Sequence, residues 1–199
     1  MLQLNKGSHT KALIIWLHGL GADSNDFFPF FNIKEFKNYH IVIPNAPLRP
    51  VSLNQNMLMR AWFDMKNLTL ENFNESDFID SSQIIDKIIN DFNHDKVIIG
   101  GFSQGAALSL YYGATSNNKI NGIVCFSGFL PNFSYAHKNM DTPILKIHGT
   151  HDDIIDIKVS QQSMMSQINF SNLNSKSYNM GHNVVNEQIS DFLEFLEKL

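Results

Sequence analysis

Short apolar runs rich in isoleucine and valine recur along the chain, at residues 12–17, 41–43, 96–99, 122–126, 143–147 and, more weakly, 175–178. Continuous apolar runs of this length suit strands buried on both faces, as in a parallel sheet. Between them the spacing changes to a helical one. In residues 77–92 the apolar positions include Phe78, Ile85, Ile88 and Phe92. Residues 104–112 are small and apolar, as a buried helix requires. Residues 159–168 and 187–199 are amphipathic, with Ile189, Phe192, Leu193 and Leu196 on one stripe of the last. Strands alternating with helices predict an α/β fold with a mostly parallel central sheet and helices on both faces. No repeat or linker divides the chain, so residues 1–199 are expected to form a single domain. Residues 49–74 break the pattern: they have no clear period and carry Pro50, Trp62 and Phe63. Long irregular segments inside compact domains are often functional, and this one is expected to lie over a site.

The strongest chemical signal is Gly101-Phe102-Ser103-Gln104-Gly105, directly after the run at 96–99. A serine hydroxyl is a poor nucleophile until a base removes its proton, and it must be accessible. A sharp strand-to-helix turn exposes it, and glycines on both sides let neighbouring backbone pass closely. The following helix turns its free N–H groups toward the reacting oxygen. The five-residue pattern alone arises by chance in roughly one chain in fifteen. A strand before it and the small-residue helix after it make the chance reading far less frequent.

An oxyanion needs donors from two places. The segment Trp16-Leu17-His18-Gly19-Leu20-Gly21 follows the first strong strand, and its glycines permit an unusual backbone path. The expected donors are the backbone N–H groups of Leu20 and Gln104. His18 is read as a ring that braces this loop. The base and its orienting acid are expected later in the chain, in the order Ser, acid, His. One strand runs into His148-Gly149-Thr150-His151-Asp152-Asp153, with Asp156 close behind; another runs into Met180-Gly181-His182. His182 is the candidate base, and spacing leaves Asp152, Asp153 and Asp156 open as the acid. A metal reading of His148, His151, Asp152 and Asp153 is disfavoured, because ligands so close in one loop give poor geometry and no distal partner is evident.

Hydrophobic residues make up 43% of the chain and charged residues 17%, enough apolar material for a core without metals or disulfides. The net charge of −4, with no basic tract, argues against nucleic acid as a partner. Cys125, the single cysteine, has no internal disulfide partner and reads as a small buried hydrophobe. The first ten residues contain no apolar signal region, and no run approaches the ~20 residues of a membrane span, so a cytoplasmic location is expected.

Taken together, these strings resemble the bacterial carboxylesterases and the acyl-protein thioesterase/lysophospholipase group of the α/β-hydrolase superfamily. The resemblance rests on WLHGLGAD at 16–23, Pro47, Pro50, Val51 and RAWFD at 60–64, GFSQGA at 101–106, HGTHDDIID at 148–156 and MGH at 180–182. It implies a hydrolase fold without a large cap. It also implies cleavage of carboxylic esters or thioesters through an acyl-enzyme at Ser103, without a cofactor. By the same resemblance Asp152 is the acid, His182 the base, and Leu20 and Gln104 the oxyanion donors. Trp62, Phe129, Leu130 and Leu68 match the region that binds the acyl chain. Short carboxylic esters, lysophospholipids and acylated protein cysteines all fit as substrates, and a small apolar groove built from residues 49–74 with Phe129 and Leu130 favours short to medium acyl chains. The alternative is a binding module that keeps the hydrolase fold without the chemistry. Ala106 departs from the family, where a second glycine usually follows the glutamine.

Overall fold

The computed structural model describes residues 1–7, 10–135, 138, 139, 141–165 and 172–199. Among them the chain begins with β1 (Leu2–Leu4) and β2 (Leu13–Leu17), then a single-turn helix α1 (Phe28–Phe31) and β3 (His40–Ile43). A hairpin follows, β4 (Leu48–Val51) and β5 (Met57–Arg60), and then the long helix α2 (Glu75–Phe92). The second half runs β6 (Val97–Phe102), α3 (Gln104–Thr115), β7 (Gly122–Phe126), β8 (Ile144–Gly149), α4 (Ile157–Met165), β9 (Leu173–Tyr178) and α5 (Glu187–Glu197), with no helix between β7 and β8 among the described residues. The helix expected over 159–168 is thus present as far as Met165; residues 166–168 lie outside the described residues.

Seven strands form one sheet in the order β1-β3-β2-β6-β7-β8-β9. All neighbouring pairs are parallel except β1 with β3. The central strands are buried along their length, save Phe102 at the end of β6, which is why their apolar runs do not alternate with polar residues. Successive side chains on β2 still point to opposite faces. Leu13, Ile15 and Leu17 pack into a core with residues of α2 and α3, while Ile14 and Trp16 pack into a second core with residues of α1 and α5. Trp16 organises the second core: the rings of Phe27, Phe30, Phe31, Phe126 and Phe192 lie 5.1–6.0 Å from it. Cys125 is fully buried on β7, and burial pushes its thiol up to about 11. Among the described residues, no helix is long and apolar enough to cross a membrane.

Candidate active site

The parallel strands all end at one edge of the sheet, and that is where open α/β sheets gather their chemistry. At the end of β6 the chain turns sharply into α3. Ser103 sits in the turn with φ 54° and ψ −116°, a conformation an L-residue adopts only at a cost. The flanking glycines make the turn possible. A Cβ on Gly101 would lie 2.5 Å from the Leu17 carbonyl oxygen, and one on Gly105 would lie 2.1 Å from the same atom. The end of β2 therefore presses directly on the turn. The methyl of Ala106 is accommodated because Gly128 faces it, where a Cβ would come within 2.5 Å of the Ala106 Cβ.

Two loops on the far side supply the partners. His182, four residues beyond the end of β9, places Nε2 2.9 Å from Ser103 Oγ, and its Nδ1 lies 2.8 Å from Asp152 Oδ2. An ionised carboxylate only accepts, so the proton sits on Nδ1 and Nε2 is free to accept from the serine hydroxyl. Asp152 is buried, and its other oxygen accepts from the amides of Ile154 (3.0 Å) and Ile155 (2.8 Å). The three acids of this loop are now distinguished. Asp153 is exposed, and Asp156 accepts from the amides of Lys158 and Val159, capping α4.

His148 was not singled out as part of this arrangement by its spacing. It is buried; its Nε2 donates to the Ile155 carbonyl at 2.8 Å and lies 3.3 Å from Asp152 Oδ2. Burial lowers its pKa, and its Nε2–H is committed to the Ile155 carbonyl, so the ring packs beside the carboxylate. Two other polar side chains of this loop, His151 and Asp153, are exposed.

Leu20 and Gln104, the residues expected to supply oxyanion donors, lie on the other two segments that meet Ser103. Gln104 is the first residue of α3, where an amide has no acceptor within the helix. On the loop after β2 the amides of Gly21 and Ala22 are engaged by Arg60 and Gly19, while Leu20 lines the cleft. His18 braces that loop: its Nδ1 donates to the Gly19 carbonyl at 2.8 Å, and its Nε2 accepts from the Ala46 amide at 3.0 Å. An accepting Nε2 is unprotonated, in keeping with a pKa lowered by burial.

Trp62 does not line the cleft. It is fully buried beneath it, where its Nε1–H donates to the His18 carbonyl and its backbone N–H to Gln104 Oε1, both at 2.8 Å. A buried indole needs an acceptor, and this one ties the Leu20 loop to the serine turn. Gln104 completes the clamp by donating from Nε2 to the Phe63 carbonyl at 2.8 Å. Leu130 is also displaced from the expected position: it is buried and lies against a separate shallow depression with Thr69 and Val159. Phe129 and Leu68 do line the cleft, together with Leu53 and Met65. The irregular segment thus reaches the site through other residues than its tryptophan.

The cleft above Ser103 measures about 760 Å³, within the usual range for a small-molecule site. Its lining is mainly apolar, with Ser103 and His182 at its floor. A match to the phospholipase/carboxylesterase family extends over residues 4–199. The chain belongs to this family. It is 36% identical to acyl-protein thioesterase 1 of Candida albicans, over 97% of this chain and 94% of that one. It is 32% identical to acyl-protein thioesterase 1 homolog 1 of Dictyostelium discoideum, over 94% and 90%. The crystal structure of Zea mays acyl-protein thioesterase 2 superposes with a TM-score of 0.86 at 28% identity, covering 99% of this chain and 97% of that one. The chain is therefore a hydrolase of the ester- and thioester-cleaving kind, on the α/β-hydrolase fold expected from its sequence.

Proposed function

We propose that this protein cleaves carboxylic esters and thioesters of short to medium acyl chains, with Ser103 as nucleophile, His182 as general base and Asp152 as its orienting acid. The observation that carries the reading is the unbroken line of contacts from Ser103 Oγ to His182 Nε2 (2.9 Å) and from His182 Nδ1 to Asp152 Oδ2 (2.8 Å) at the floor of an apolar cleft. His182 takes the hydroxyl proton as Oγ attacks the carbonyl carbon. The amides of Leu20 and Gln104 hold the oxyanion. His182 then gives the proton to the departing alkoxide or thiolate, and water repeats the sequence on the acyl-enzyme. No step calls for a cofactor. The relatives named acyl-protein thioesterases extend the substrate class to acylated proteins. We further read residues 1–199 as one domain and place the protein in the cytoplasm, where a lone unpaired thiol on β7 is at home.

The test combines a fluorophosphonate probe with p-nitrophenyl butyrate turnover. Ser103→Ala should remain folded, lose labelling and lose at least ~10³ in turnover. Asp152→Asn should cost on the order of 10⁴, because only the orienting acid fixes the histidine tautomer. Asp153→Asn and Asp156→Asn should retain most activity. A wild-type protein that neither labels nor turns over ester is a binding module on a hydrolase fold.

A further inference from the structure

The cleft has two arms that belong to opposite faces of the sheet. Leu20, Leu53, Met65, Phe129 and Ile155 are continuous with the core under α2 and α3. Phe27, Phe30, Ile33, Val184, Val185 and Ile189 are continuous with the core around Trp16. The second arm lies on the histidine's side: the His182 ring sits 4.8 Å from that of Phe102, which in turn sits 6.1 Å from that of Phe27. Val184 and Val185 follow His182 directly in the chain.

The general acid must reach the departing atom, so the leaving group always departs on the histidine's side of the scissile bond. With Ser103 and His182 in the roles proposed above, the geometry points to the aromatic arm as a leaving-group subsite that takes an uncharged, apolar alcohol or thiol. Charge argues the same way. Among the described residues lining the cleft there is no lysine or arginine, and Asp26 stands at its rim. A phosphate-bearing leaving group meets no cation there and one like charge. The protein therefore favours substrates that are apolar on both sides of the bond it breaks.

Methyl and hexyl butyrate test this directly, because the two alcohols have nearly equal acidity and differ only in length. Each buried methylene is worth about fourfold in binding, so hexyl butyrate should exceed methyl butyrate in kcat/KM by at least about 30-fold. S-hexyl thiobutyrate should exceed butyryl-CoA, a thioester with an anionic leaving group, by at least about tenfold. Val185→Asp and Ile189→Asp should bring the hexyl-to-methyl ratio toward one. Leu53→Asp, on the arm continuous with the core under α2 and α3, should alter dependence on acyl length and keep that ratio. Wild-type enzyme that labels with fluorophosphonate yet shows no dependence on alcohol length, or prefers butyryl-CoA, overturns the subsite and leaves the serine mechanism intact. Absence of both labelling and turnover removes the mechanism and the subsite together. The wild-type measurements decide the matter even where a variant does not fold.

Discussion

Two stretches of chain frame Ser103, and different forces hold them. The turn between β6 and α3 is fixed by contact: backbone presses on backbone at Gly101 and Gly105, and every residue of α3 from Gln104 to Ala114 is buried. Residues 48–74 contain only the hairpin and a single turn of 3-10 helix. They are fixed by polar partners that reach in from elsewhere. Gln104 holds Trp62 and Phe63, the Ser81 hydroxyl donates to the Trp62 carbonyl, and Asp77 accepts from the Asp64 amide while pairing with Arg49 at 2.9 Å. The first region has no room for an extra atom. The second depends on each polar partner being present. Placement of Ser103 and coverage of the cleft are thus assigned to separate pieces of chain, joined at one side chain, Gln104.

Substitutions on either side of that junction sharpen the contrast. The largest effect is expected from Gly105→Ala, since the added methyl would sit 2.1 Å from a backbone oxygen that has nowhere to go. A loss of about 4 kcal/mol or more in urea unfolding, or no folded protein, is the expected result; a loss near zero would show that the turn is not close-packed. Gln104→Ala comes next. It leaves the Trp62 amide and the Phe63 carbonyl buried without partners, at about 1–3 kcal/mol each. Turnover should fall with stability, because Trp62 also anchors the carbonyl of His18 beside the Leu20 amide. Full activity in a destabilised Gln104→Ala protein would separate the clamp from the chemistry.

A smaller effect, of opposite sign, concerns the serine itself. Ser103→Gly relieves the positive φ and should be more stable than Ser103→Ala by about 1–2 kcal/mol, while both lack activity. Equal stabilities would mean that the turn stores no strain. The smallest effect is one of pH. Burial holds His18 below its usual 6.5, with the same direction for His148, so the unfolded chain binds protons that the folded chain refuses. Stability should be full above pH 6.5 and decline as pH falls below it toward the depressed folded values. Thermal melts across that range should show a shallower decline for His18→Gln; an unchanged slope would assign the proton uptake to other groups.

The serine turn was legible in the sequence because its constraint is written in adjacent residues: a buried strand, two glycines that cannot carry a Cβ, and a run of small side chains. The six strands and four long helices were legible for a similar reason, their apolar spacing being local. The elements missed are those without such spacing. β1 has three residues, and α1 is one turn of phenylalanines around Pro29. The hairpin turns on Gln55 and Asn56, both left-handed with φ near 55–58°, without the glycine that usually marks such a turn. The choice among Asp152, Asp153 and Asp156 needed the resemblance, because burial and helix capping separate them and spacing does not. Trp62 was misplaced because what fixes it lies 42 and 44 residues away, at Gln104 and His18.

The thiol on β7 gives the protein a built-in reporter of its own opening. Alkylating reagents attack only a thiolate that solvent can reach, and Cys125 offers neither exposure nor ionisation while the sheet is intact. With a single cysteine in the chain, each molecule that has opened at the middle of the sheet acquires one maleimide and no other. Mass gain over time then reports how often the central strands part, a clock that a ligand held in the cleft should slow.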